Sequence, residues 1–209
     1  MSRSKPRKTT SRPPQSGLRG DGPQSVRIIG GTFRGRRLQY RGDPRTRPMK
    51  DRVREAVFNL VRESIEGRVA LDLFAGTGVL GFEALSRGAD ATVLLERHAP
   101  TAKLMRANAG LLGVESHVDV IVTDTLSWSR QHPWLDERPW LIFCSPPYDL
   151  FIERAPEMLG LLDELVRRAP TGSAIVVEAD QRFDLGTLPR PDQWHVRRYP
   201  PAMVAIWQT

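Results

Sequence analysis

Two short stretches carry residue types that could do chemistry together. Leu71-Asp72-Leu73-Phe74-Ala75-Gly76-Thr77-Gly78 ends an apolar run on a carboxylate and continues into a glycine-rich turn. Further along, Cys144-Ser145-Pro146-Pro147-Tyr148 ends a second apolar run. Gly76 and Gly78 allow backbone to approach a ligand closely at a helix N-terminus, with Phe74 and Thr77 completing the turn. Asp72 suits a ligand that carries a positive amino group. Two consecutive prolines fix two φ angles and remove two N–H donors, so carbonyl oxygens are presented without competing donors. The NH2 of a base has its lone pair delocalised into the ring and must be turned before it can react. The Ser145 hydroxyl and the Pro146 carbonyl can accept its protons, and Tyr148 can stack on the base, a contact worth about 1–3 kcal/mol. Together these loops read as transfer of a methyl group from S-adenosylmethionine to an exocyclic nitrogen, achieved by positioning for in-line displacement.

A rival reading exists. Gly76-Thr77-Gly78-Val79-Leu80-Gly81 matches G-x-G-x-x-G, and Glu96 lies twenty residues beyond Gly76, which is dinucleotide spacing. Asp72 argues against it, because a carboxylate there would repel a pyrophosphate. No His–Asp or Tyr–Lys arrangement suggests hydride handling either. In the sulfonium reading, Glu96 accepts hydrogen bonds from the ribose hydroxyls and Asp124 from the adenine amine. Asp124 equally suits the N-cap of a following helix, and the two roles are compatible. Cys144 reads as a small buried residue rather than a nucleophile. The four histidines are scattered and lack cysteine partners at ligand spacing, so no metal is expected.

The elements that must hold these loops are legible as alternation. Short apolar runs at 69–73, 91–95, 118–122, 140–144 and 173–178 are separated by helical stretches at 79–87, 100–112, 125–131 and 151–168. That rhythm means βαβ units around a buried, mostly parallel sheet, an α/β fold. Trp194 to Tyr199 and Ala202 to Trp207 flank Pro200-Pro201 and read as an antiparallel hairpin at the sheet edge. Upstream, Val26–Ile29 and Phe33–Leu38 flank Gly30-Gly31 as an N-terminal hairpin bearing Arg34, Arg36 and Arg37. A loop with Arg47 and Lys50 leads to a helix capped by Asp51. Its face of Val53, Val57, Leu60 and Val61 packs on the body, with Arg52 and Arg54 toward the other side.

Charge is unevenly spread. The net charge is +7, yet residues 1–54 hold sixteen Lys/Arg against three acids, a net of +13, and the rest carries −6. A basic arm on a mildly acidic body points to a polyanion partner held first by phosphate contacts; a solubilising tail is the plainer alternative. Residues 1–24 have almost no large apolar residues and read as a disordered tail, 25–50 as an RNA-binding hairpin and loop, and 51–209 as the catalytic domain. The basic N-terminal stretch lacks an apolar h-region and is not expected to be a secretory signal, no apolar run of membrane length appears, and the single cysteine suits a reducing compartment. A cytoplasmic protein without a membrane partner is expected. No exposed apolar helix face demands a partner, which points to a monomer.

From about residue 26 onward the chain resembles a known family, the bacterial small-subunit ribosomal RNA guanine-N2 methyltransferases, named for 16S rRNA guanine 966. The resemblance rests on Arg27-Ile28-Ile29-Gly30-Gly31, Arg34-Gly35-Arg36, Arg47-Pro48 and Asp51-Arg52-Val53-Arg54-Glu55. It continues through Asp72 to Gly78, Gly81-Phe82-Glu83-Ala84-Leu85-Ser86-Arg87-Gly88-Ala89 and Asn108. It implies a seven-stranded, Rossmann-like class I methyltransferase sheet with an N-terminal β-hairpin that grips RNA. It also implies methylation of the exocyclic N2 of a guanine in 16S rRNA, on the assembled or assembling 30S particle. The chain departs from the family at Ser145, where aspartate is usual. That leaves open an amino-methyltransferase acting on cytosine N4 or adenine N6, whose Ser-Pro-Pro-Tyr loop is similar, and a catalytically silent RNA-binding assembly factor. The usual glycine near Pro200-Pro201 is absent, and residues 1–24 are unmatched.

Overall fold

The computed structural model describes residues 24–40, 48–131 and 137–209. Five strands, β3 (Val69–Asp72), β4 (Ala91–Glu96), β5 (Val118–Val122), β6 (Trp140–Cys144) and β7 (Ala174–Asp180), run parallel. Two more, β8 (His195–Tyr199) and β9 (Ala202–Gln208), form an antiparallel hairpin. The sheet order is β5-β4-β3-β6-β7-β9-β8, so β9 inserts antiparallel beside β7 and β8 becomes the edge. This is the expected seven-stranded α/β sheet.

The order places the site. From β3 the chain winds outward through β4 and β5, then returns to lay β6 on the other side of β3. Asp72 is in register with Phe143. The loops leaving β3 and β6 therefore emerge side by side at a topological switch point, where open α/β sheets bind ligands. Both strands are fully buried, as a doubly covered parallel sheet requires. Leu141 and Phe143 join a core layer with α1 (Asp51–Leu60), α2 (Val79–Ser86) and α3 (Ala99–Leu112). Trp140, Ile142 and Cys144 face the other layer, built with α4 (Thr125–Gln131), the short α5 (Leu150–Glu153) and α6 (Ala155–Arg168). The single expected helix at 151–168 is thus two, divided at Arg154.

The N-terminal hairpin is present with different bounds: β1 is Gln24–Arg27 and β2 is Arg37–Tyr40. Residues 28–36 form a docked loop instead of continuing the second strand. The amides of Thr32 and Phe33 donate to the carbonyl and the hydroxyl of Ser86 at 2.7 and 2.8 Å, and Ile29 N donates to Glu83 at 2.8 Å. Gly31 makes this possible. Its φ is +73°, and a Cβ there would stand 1.7 Å from the Ser86 carbonyl oxygen. On the other side Asn108 exchanges two 2.9 Å hydrogen bonds with the backbone of Gln39, tying β2 to α3.

Helix α1 starts where expected, but Asp51 is its first helical residue and Lys50 takes the cap position without a side-chain cap. The Asp51 carboxylate accepts from Arg27 at 2.7 Å and from Arg54 at 3.0 Å. Leu60 is exposed, and Phe58 occupies the core in its place.

Arg54 does not face RNA as its place on the helix suggests: its side chain is 0% exposed. Its guanidinium donates to the carbonyls of Met49 (3.1 Å) and Arg27 (2.7 Å), and Nε lies 3.6 Å from buried Glu83. Glu83 is also held by Arg87 at 2.9 Å. The fork shape of the guanidinium explains the exchange of roles, since one planar group can serve two carbonyls and lie beside a buried carboxylate at once.

Among the described residues no helix is long and apolar enough to cross a membrane, and no group of three or more His, Cys, Asp or Glu could hold a metal.

Candidate functional site

The two loops identified from sequence line one cleft of about 580 Å³, a size that suits a nucleoside-sized ligand with room to spare. Asp72, Phe74, Gly76, Thr77, Glu96, Asp124, Ser145, Pro146 and Tyr148 all line it. Gly78 lies just behind, as the residue preceding α2, with φ +73°. A Cβ at Gly78 would press on Phe82 at 3.0 Å and Leu94 at 3.2 Å, so the turn and its packing on β4 both need glycine.

Asp72 is 1% exposed, and its Oδ1 has no hydrogen-bond partner. Burial raises its pKa to about 7; backbone hydrogen bonding from Phe74 and Gly81 opposes the rise, and the nearby Glu96 adds to it. An orphaned carboxylate oxygen at the base of a cleft is costly, and a cationic donor would relieve it. Glu96 closes the glycine turn from β4. Its Oε2 accepts from Gly76 N at 3.0 Å and its Oε1 from His98 N at 2.7 Å. With both oxygens so engaged, the carboxylate keeps one fixed orientation, and each oxygen retains a lone pair for a ligand. Asp124 does cap α4, accepting from Ser127 N at 2.9 Å, and it faces the cleft as well.

The diproline loop has a supporter that the sequence reading missed. Glu178, at the carboxyl end of β7, is only 6% exposed. Its Oε2 accepts the hydroxyl of Ser145 in a short hydrogen bond, and its Oε1 accepts the phenol of Tyr148 at 2.8 Å. The signal was available: Glu178 ends a buried apolar run as Asp72 and Glu96 do. Pro146 is buried and Pro147 exposed, so the corner turns its first proline inward. Cys144 is fully buried, and burial, then Asp72, pushes its thiol pKa upward, away from thiolate chemistry.

Two further segments border the cleft, one of them carrying Lys50, which the sequence places among the RNA-facing residues. Pro48, Met49 and Lys50 come from the loop before α1, and Tyr199, Pro201 and Ala202 from the turn between β8 and β9. Met49 is placed there by Arg54, which holds its carbonyl. Lys50, Arg97, Arg154 and Arg182 add positive charge, though Arg154 pairs with Glu157 and Arg182 with Asp149 and Asp180. Of the arginines expected to meet RNA, Arg34, Arg36, Arg37 and Arg52 are exposed but do not border the cleft. Arg36 donates to Leu111 O at 2.6 Å and Arg37 to the Ser25 hydroxyl at 2.9 Å, each with other guanidinium hydrogens to spare. Arg47 and residues 1–23 of the basic tail lie outside the described residues.

Residues 26–202 match the family described as Conserved hypothetical protein 95. The chain is similar to ribosomal RNA small subunit methyltransferase D of Escherichia coli K12, 31% identical over 183 residues that cover 85% of each chain. It is 35% identical to the Haemophilus influenzae protein of the same name over 173 residues, 81% of this chain and 84% of that one. Among solved structures, yhhF of Escherichia coli superposes with a TM-score of 0.70 at 29% identity, covering 88% of this chain and 98% of that one. An RNA methyltransferase from Salinibacter ruber, solved with S-adenosyl-L-homocysteine, shares the fold at a TM-score of 0.56 and 19% identity, over 77% of this chain and 92% of that one.

Proposed function

The chain belongs to the ribosomal RNA small subunit methyltransferase D family, and we propose that it methylates the N2 amine of a guanine in small-subunit rRNA, using S-adenosylmethionine. The observation that carries the reading is the meeting of Asp72 and the Ser145–Tyr148 loop in one cleft. The residues present fit the cofactor. The orphaned Asp72 Oδ1 would receive its ammonium, Glu96 and the Gly76–Gly78 turn its ribose, and Asp124 its adenine amine. Bound there, S-adenosylmethionine supplies a methyl group already activated by the positive sulfur.

The chain's own residues then have little covalent work. Ser145 Oγ and the Pro146 carbonyl accept from the base NH2 and turn its lone pair, while the Tyr148 ring stacks on the base. Stiff backbone at Pro146-Pro147 keeps these acceptors in place, and such preorganisation is how positioning lowers a barrier. Lys50 and Arg97 at the cleft, with Arg34, Arg36, Arg37 and Arg52 farther out, would meet phosphates, and Arg47 is proposed to join them. We further propose that the protein acts in the cytoplasm as a monomer on the assembled or assembling 30S particle, with residues 1–24 as an electrostatic tether, 25–50 as the RNA-gripping unit and 51–209 as the catalytic domain.

Ser145 favours a second reading, transfer to cytosine N4 or adenine N6, because a neutral hydroxyl does not by itself select among amines. Calorimetry with S-adenosylmethionine tests the enzyme class. Saturable one-to-one binding is expected; a protein that bound RNA but gave no heat with the cofactor would be a silent assembly factor.

A further inference from the structure

Resting on that reading, we infer that Glu178 is a positioning residue for methyl transfer: it fixes Ser145 as a pure hydrogen-bond acceptor and takes up the proton that the amine must lose.

A serine hydroxyl is amphoteric. It has one donor and two acceptor positions, so by itself it greets an amine and a carbonyl alike. Here the donor is committed. Ser145 O–H points to Glu178 Oε2, and Tyr148 O–H points to Glu178 Oε1. Both hydroxyl oxygens are left with only lone pairs to offer the cleft that all three residues line. A group that can only donate, such as an exocyclic NH2, is then matched, and a ring carbonyl meets lone pair against lone pair. Selection for an amine follows from Glu178 although the carboxylate is one residue removed from the base.

The same geometry offers a route for the proton. When the N–C bond forms, the S–C bond breaks with its electron pair left on sulfur, and the nitrogen carries one proton too many. That proton passes to Ser145 Oγ as serine's own proton passes to Glu178 Oε2. Serine ends unchanged, Glu178 ends as a neutral carboxylic acid, and it later returns the proton to water through the open cleft. The setting favours this. Glu178 is more than nine-tenths buried, and none of the ion pairs among the described residues involves it. A buried carboxylate without a cationic partner gains when positive charge develops beside it, which is the property of a group arranged for a transition state. A neutral amide has a single acceptor oxygen, so it could pin only one of the two hydroxyls and could not take up the proton.

The test is the pair Glu178→Gln and Ser145→Asp/Glu178→Gln, assayed with full-length protein and small-subunit rRNA by transfer of labelled methyl. Glu178→Gln should lower kcat by about a hundredfold, the range of a lost proton acceptor. KM for RNA, affinity for S-adenosylhomocysteine and Tm should stay within error of wild type. Ser145→Asp/Glu178→Gln should regain at least tenfold of that loss, because a carboxylate again faces the amine even though Tyr148 remains unpinned. Wild-type kcat in Glu178→Gln would overturn the inference. So would a fall in kcat matched by weaker cofactor binding or a lower Tm, which marks a structural role. If the double variant is unstable, a Glu178→Asp single variant with no more kcat than Glu178→Gln overturns it as well. Wild-type protein that transferred no methyl would instead contradict the functional reading itself.

Discussion

Arg54 and Glu83 meet at 3.6 Å with neither side chain exposed to solvent. This pair links α1 to α2, the helix that begins at the glycine turn, and through Arg54 it also holds the carbonyls of Arg27 and Met49. The N-terminal hairpin and the cleft wall at Met49 are thereby fastened to the helix that follows the glycine turn. Burial pulls the guanidinium below the usual arginine range, and the charges of Asp51 and Glu83 pull it back up.

Arg54→Met should therefore be a stability variant. It leaves two carbonyls unsatisfied and Glu83 with Arg87 and the Ile29 amide, and breaking a buried pair costs about 3–5 kcal/mol. Because Arg87 remains, a loss of about 3 kcal/mol is expected in urea unfolding. The salt slope of RNA binding should not change. A stable variant with a shallower slope would return Arg54 to the RNA face.

Asp72 makes a pH prediction with a definite sign. Its folded pKa of about 7 is above the ordinary carboxyl value of 3.8. The stability it contributes is complete below the unfolded pKa and is lost as pH rises to about 7, where the buried group finally ionises. A ligand ammonium prefers the ionised form, so affinity should move the opposite way. S-adenosylhomocysteine should bind roughly tenfold more tightly at pH 7.5 than at pH 6. In Asp72→Asn both trends should flatten and affinity should fall throughout. Calorimetry at the two pH values would expose an affinity that ignored pH in the wild type, and that result would remove Asp72 from the cofactor site.

Lys50 lines the cleft from the loop that Arg54 anchors at Met49, and no side-chain partner is evident for it among the described residues. As a phosphate contact to single-stranded RNA it should account for about 0.7 of the slope of log affinity against log salt. Lys50→Ala should reduce the slope by that amount, and removing residues 1–24 should reduce it further. Filter binding across a salt series measures both. An unchanged slope after truncation would make the arm a passive tail.

Much of this molecule was legible because its signals are local. Each parallel strand announced itself as an apolar run, and the strand ends at Asp72 and Glu96 gave the cleft its acidic lining. What escaped was set by tertiary partners. Arg54 looks like any polar helix residue until Glu83 and two carbonyls from other segments surround it. The stretch 33–36 has strand-like alternation, yet Ser86, more than fifty residues away in sequence, takes the amides of Thr32 and Phe33. Glu178 was readable as a strand end, but its commitment to Ser145 and Tyr148 follows from β7 lying beside β6, which only the sheet order supplies.

The identity of the methylated amine is the central question. Small-subunit rRNA from a strain lacking this gene should be digested to nucleosides and compared by mass spectrometry before and after incubation with the purified protein and S-adenosylmethionine. A gain of one N2-methylguanosine per rRNA molecule is the predicted result; a gain of N4-methylcytidine or N6-methyladenosine instead, or no gain in any methylated nucleoside, would contradict it.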